Sequence, residues 1–155
     1  MTAQGITRAR DRAAGRLPAT AIDTAPLTGT WVTFDPAARG IVRVGIDADG
    51  GKLLLRVTET ADGTAERPEP GPGTGPLVWD TVTAAPLTGE VGTGHAVGFV
   101  AAVDGAPGSR KAVLCGYLNR GLLTVDVSIA RLVDGHPANT MYRAHYYRPE
   151  AAVRP

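Results

Sequence analysis

Residues 122–148 read LLTVDVSIARLV, then DGHPA, then NTMYRAHYYR, and this stretch decides the fold. Two alternating runs flank an Asp-Gly turn signal, the strongest short-range mark of a β-hairpin. Strand side chains alternate between two faces, and directly paired residues share one. With the turn centred between Gly135 and His136, Asp126 falls opposite His145 and Ser128 opposite Arg143. The other face carries Val125, Val127 and Ile129 beside Tyr142, Ala144 and Tyr146. Polar residues meet polar ones and apolar meet apolar, so the hairpin has one wet face and one dry face.

Six similar runs precede it at nearly even spacing: 29–34 (GTWVTF), 40–47 (GIVRVGID), 52–60 (KLLLRVTET), 77–84 (LVWDTVTA), 95–103 (HAVGFVAAV) and 110–118 (RKAVLCGYL). DPAAR, DADGG, DGAPGS and NRG separate several of them as turn signals. Eight short strands with hairpin links imply an all-β chain and an eight-stranded antiparallel up-and-down β-barrel. Closure also removes the unpaired edges of an open sheet. One link differs: residues 61–76 (ADGTAERPEPGPGTGP) hold too much proline and glycine for a regular element. It reads either as a lid over one end or as a surface insertion.

The length of 155 residues fits one domain, divided here into an N-terminal extension (1–25), the barrel (26–149) and a short tail (150–155). Twenty glycines and twelve prolines suit many turns and argue against a helical bundle. The formal charge of +1 gives no global field to gather nucleic acid or an anionic membrane. The extension carries Arg8, Arg10, Arg12 and Arg16 without aromatics and reads as a flexible, solvated tail. It lacks the apolar segment of a secretory signal, and no run is long enough for a membrane helix, so a cytoplasmic location is expected. The single cysteine permits no internal disulfide.

At LTGTW (27–31) followed by IVRVGIDADGGKL (41–53) the chain resembles the opening of a calycin barrel, nearest in wording to the avidins. The resemblance implies a ligand site inside the barrel, entered beside the loop between strands three and four. It also implies a closed end where the Gly-x-Trp tryptophan, Trp31, lies under an arginine of the last strand, Arg148. Biotin binding does not carry over. Thr33 stands where the avidin site has asparagine, and only two tryptophans are present.

Applying hairpin arithmetic to the turn at 119–121 places Val113, Cys115 and Tyr117 inside, and the turn at 104–109 brings Phe99, Val97 and His95 with them. Strands two and three add Val42, Val44 and Ile46, then Leu53, Leu55 and Val57, with Arg43 and Arg56 outside. Trp31, His95, Tyr117 and Tyr146 gather at the closed end with Arg148. Thr33, Val57, Trp79, Phe99, Cys115 and Tyr142 lie nearer mid-barrel or mouth and are the candidate ligand contacts. The Tyr142 hydroxyl is expected to meet lumen water, Thr33 or the ligand, so that Tyr142→Phe would weaken binding and leave melting unchanged.

Asp126, His145 and Arg143 face solvent, which removes them as a catalytic set. His95, His136 and His145 lack metal-ligand spacing, Ser109 and Ser128 lack a base, and Cys115 reads as an inert core thiol. The glycines of GEVGTGH (89–95) lead into a strand rather than a phosphate-holding helix. No metal or cofactor is expected. The leading function is a barrel that binds a small, largely apolar molecule in its lumen. The alternative is a cofactor-free cyclase or isomerase of a secondary-metabolite pathway, polarising one carbonyl of an apolar intermediate. A third reading fills the barrel with its own side chains and leaves it to make homo-oligomer contacts through its outer face.

Overall fold

The computed structural model describes residues 21–35, 37–60, 75–89 and 94–149. Among these residues the strands are β1 (Gly29–Thr33), β2 (Ile41–Asp49), β3 (Lys52–Glu59), β4 (Leu77–Val78), β5 (Val82–Thr88), β6 (Ala96–Ala106), β7 (Arg110–Asn119), β8 (Leu122–Ala130), β9 (Leu132–Val133), β10 (His136–Pro137) and β11 (Thr140–Tyr147). Eight of them form a closed antiparallel barrel in the cyclic order β1, β2, β3, β5, β6, β7, β8, β11. This closed meander is consistent with a calycin-like fold. The short β4 pairs with the end of β3, and β9 with β10 makes a small separate hairpin. The run at 77–84 is thus two strands, broken at residues 79–81 where the Trp79 side chain becomes buried.

Three two-residue turns set the register. Gly50-Gly51, Arg120-Gly121 and Asp134-Gly135 all have positive φ at both central positions, the conformation whose twist matches the flanking strands. The last turn is centred on Asp134-Gly135, one residue earlier than the sequence reading placed it. Arg143 therefore lies opposite Asp126, and His145 opposite Thr124. A shift of two in the pairing preserves parity, so Val125, Val127, Ile129, Tyr142, Ala144 and Tyr146 do face inward.

The Arg120-Gly121 turn corrects the neighbouring strand. Centring the turn on Arg120 alone gives three linking residues; the two-residue turn pairs Asn119 with Leu122 and flips β7. Ala112, Leu114, Gly116 and Leu118 point inward instead. Val113, Cys115 and Tyr117 stand on the outer wall, with Val113 46% and Tyr117 36% exposed. Arginine seldom adopts a positive φ, which is why the signal misled. A second correction comes from β6, where an irregularity opposite Leu87 and Thr88 changes the parity around Val97. Phe99 points in, whereas Val97 and His95 point out. A bulge between Ile41 and Arg43 likewise turns Ile41, rather than Val42, into the core.

The interior is solid at mid-barrel. Leu53, Leu55, Val57, Phe99, Leu123, Val125 and Val127 have no accessible surface at all, so no water-sized void touches them. Phe99 lies over Gly116, its register partner on the adjacent β7, where an added Cβ would fall on the aromatic ring. Gly116→Ala should therefore cost about 1–3 kcal/mol by overpacking. Urea denaturation of Gly116→Ala with and without Phe99→Leu checks this, since the smaller ring-free partner should restore most of the loss.

The first strand is preceded by a packed segment. Asp23 forms an isolated parallel bridge with His95, and Leu27 is fully buried. At this end Trp31 donates its indole N–H to the Leu27 carbonyl at 2.8 Å, and the Arg148 guanidinium lies 4.4 Å over the Trp31 ring. Arg148 also donates to the Pro26 carbonyl. Residues 1–20, residues 61–74 of the proposed lid (61–76) and the tail at 150–155 lie outside the described residues. Among those described, no helix is long and apolar enough to cross a membrane.

Candidate functional site at the barrel mouth

Alternation along β3 runs Leu53, Leu55, Val57, Glu59, and the fourth inward residue is a carboxylate. Glu59 is 2% exposed at the end opposite Trp31. An ion buried this far needs several partners, and three donors meet it. Arg110 Nη1 donates to Oε1 at 3.0 Å, Arg110 Nη2 to Oε2 at 2.6 Å, and Trp79 Nε1 to Oε2 at 3.0 Å. Arg110 opens β7 and turns inward with Ala112 and Leu114. Hydrogen bonding to Glu59 raises the guanidinium's already high pKa, keeping it charged. Its Cζ also lies 5.9 Å over the Trp79 ring.

Tyr142 stands beside this group. Its oxygen accepts the Ile41 backbone N–H at 3.0 Å, and Tyr146 donates its hydroxyl to the Ile41 carbonyl at 2.8 Å. Gly40, at φ +86°, lies so close that an added Cβ would sit 2.6 Å from the Tyr142 oxygen. Thr60 fixes Gly40 from the other side, donating its N–H to the Gly40 carbonyl at 2.9 Å. The hydroxyl expected to meet water, Thr33 or ligand thus has a backbone partner. Tyr142→Phe would leave the Ile41 N–H unpaired, and stability should fall by about 1–3 kcal/mol, seen as a lower melting temperature.

Burial pushes the Tyr142 and Tyr146 phenols above their ordinary range. Phenols whose folded pKa is raised hold their proton more tightly in the native state. Their contribution is complete below the unfolded value near 10.0 and is lost as pH rises through the folded values. In an alkaline titration, part of the tyrosinate absorbance should appear only together with loss of the β signal. Full ionisation with the barrel intact would contradict this.

Arg39, Gly40, Glu59, Arg110, Ile129, Arg131, Thr140 and Tyr142 enclose a cavity of about 290 Å³ at this mouth. A larger hollow of about 480 Å³ lies on the outer wall near the same end, beside Ala102, Val113, Ser128 and Met141. It has no comparable convergence of charged and phenolic groups, so the mouth is the stronger site.

Among the sequence candidates, Tyr142 lines the mouth and Trp79 supports it through Glu59. Val57 and Phe99 are sealed in the solid core below, and Thr33 is half-buried on β1. Cys115 lies on the outside opposite Asp126. At the other end Trp31 and Arg148 are packed inward; Tyr146 is buried with its hydroxyl on the Ile41 carbonyl, and Tyr117 is on the wall. The His95 side chain is 71% exposed and bonds Asp23 at 3.1 Å. Glu59 and Arg110 were missed, although the period-two pattern of β3 marks the first of them.

No family model matches the chain, and no curated protein matches it in sequence.

The outer wall carries its own ion pair. Arg143 grips Asp126 with two bonds, 2.6 and 3.1 Å, and holds its carboxyl below the usual range, while His145 bonds Thr124. The Asp126 carboxylate therefore is not paired with an imidazole. Among the described residues, no group of three or more His, Cys, Asp or Glu is placed to hold a metal.

Proposed function

We propose that the protein binds a small organic molecule at the barrel mouth, above the solid core rather than deep in the lumen. The observation that carries this is the cavity of about 290 Å³ where groups from β3, β7, β8, β11 and the segment leading into β2 converge. Ile129 and the Tyr142 ring offer apolar surface, and the surrounding guanidiniums and hydroxyls offer orientation. The likeness of LTGTW and its sequel to avidin-type calycins supports the same end, because Glu59 and Trp79 flank the link between the third and fourth barrel strands. A cytoplasmic protein that captures a small apolar-bodied molecule is the resulting picture.

A cofactor-free cyclase or isomerase is the second reading, favoured by one feature. The Tyr142 oxygen accepts from Ile41, which leaves its own proton to polarise a carbonyl in the cavity.

Native mass spectrometry of the full chain purified from its host tests the binding reading. A retained small molecule is expected, and Thr140→Trp, which fills the mouth from an exposed position, should abolish retention at unchanged melting temperature. Retention untouched by that substitution would place the ligand elsewhere. A mass change when released ligand is returned to fresh protein would favour the enzyme.

A further inference from the structure

The mouth holds a surplus of hydrogen-bond donors. Its lining contains three guanidiniums, Arg39, Arg110 and Arg131, against one carboxylate, Glu59. Glu59 is largely committed, since both its oxygens are taken by Arg110 and one also by Trp79. It has little left to offer Arg39 or Arg131. The Arg131 Nε is buried and has no hydrogen-bond partner among the described residues. The Tyr142 oxygen is already an acceptor for Ile41, so that hydroxyl adds a further donor.

Unmet donors with a net positive charge specify what fits. A cation would be repelled, and a ligand that mainly donates would find no acceptor. A planar oxyanion can take two parallel N–H bonds from one guanidinium fork. Partial removal from water strengthens that attraction, and burial makes an unfilled donor costly.

The other end of the barrel shows the contrast. Arg148 also has an Nε without a partner, but its guanidinium lies on Trp31 and donates to Pro26. That group is used in packing. At the mouth, the residue that carries the unpartnered Nε lines a cavity.

We infer that the mouth ligand is a small organic oxyanion, a carboxylate or phosphate on an apolar body, held by Arg131 with Arg39 and the Tyr142 hydroxyl. The inference rests on the mouth being the binding site and adds the chemical class of the occupant. Arg110 has a separate part. It is committed to Glu59 and forms the floor on which the other donors are arranged.

The test uses the full chain with benzoate, phenyl phosphate and the neutral analogue benzamide, followed by calorimetry at low and high salt. One of the two anions should bind at least about tenfold more tightly than benzamide, with the advantage shrinking in salt. The better anion distinguishes carboxylate from phosphate. Arg131→Gln should remove about tenfold of that affinity and Arg131→Lys less, with benzamide unaffected and folding intact. Arg39→Gln, at an exposed position, gives a second reading if the Arg131 variants fold poorly.

Equal binding of benzoate, phenyl phosphate and benzamide would overturn the inference, as would an anion preference indifferent to both arginines. If a neutral molecule is retained in a manner blocked by Thr140→Trp while no anion binds, the oxyanion assignment fails and the mouth site stands. If nothing is retained and no probe binds, both fail.

Discussion

Replacing Arg110 with methionine should be among the most damaging single changes in this protein, at about 3–5 kcal/mol. The side chains of the Glu59–Arg110 pair are only 3% and 15% exposed, so losing the guanidinium strands a carboxylate with one indole N–H. Much of the loss is the cost of an uncompensated buried charge, which a second substitution can relieve. Arg110→Met with Glu59→Gln removes that charge and keeps an acceptor for Trp79. At least half of the stability should return in urea denaturation, giving a large positive coupling in the double-mutant cycle. A single-variant loss below about 1 kcal/mol would mean that the pair behaves as a solvated one.

The other large effect lies at the opposite end. Trp31→Ala should cost about 3–5 kcal/mol, because a nearly fully buried indole leaves a cavity that the strands cannot close. Arg148 loses its ring at the same time, and the Leu27 carbonyl loses its donor. Trp31→Phe separates these contributions by keeping an aromatic face under the guanidinium. Its loss should be smaller, and Arg148→Ala in the native background should cost about 0.5–2 kcal/mol. If Trp31→Phe were as damaging as Trp31→Ala, the bond to Leu27 would outweigh ring packing.

The architecture was legible because it rests on repetition. Each of the eight apolar runs overlaps one barrel strand, and the dry face of the 122–148 hairpin is the face that enters the core. Parity on β7 was not legible, and the cause is a single residue. Arg120 takes a left-handed conformation that sequence alone assigns to glycine or asparagine, and one residue of slip exchanges the two faces of a strand. That slip also concealed the site. With β7 inverted, Arg110 counts as an outer residue, and the fourth inward position of β3 has no visible partner for its carboxylate.

Tyr142 shows a different limit. Its inward direction could be read from alternation, but its partner, Ile41, opens β2, a strand that is not its neighbour and is brought close by barrel closure. Hairpin arithmetic reports on neighbouring strands only. His95 and Val97 were lost to a bulge, which breaks the period on which such arithmetic depends.

The seam between β1 and β11 is recorded by only two residue pairs, Val32 with Tyr147 and Thr33 with Tyr146. Every other backbone pairing in the barrel joins strands that follow one another in barrel order, and those linked by tight turns can zip as local hairpins. This one junction must wait for the first and last strands to meet, and the Tyr142–Ile41 bond from β11 to β2, across 101 residues, waits with it. Barrel closure is thus the step with the greatest loop entropy and the fewest backbone bonds to reward it. The two tyrosine contacts to Ile41 reinforce that junction from within. In hydrogen exchange the seam should be the first part of the barrel to open, before any hairpin separates. A permuted chain that links the first and last strands and is cut at one of the turns would make the slow contact local, and should refold faster than the natural order.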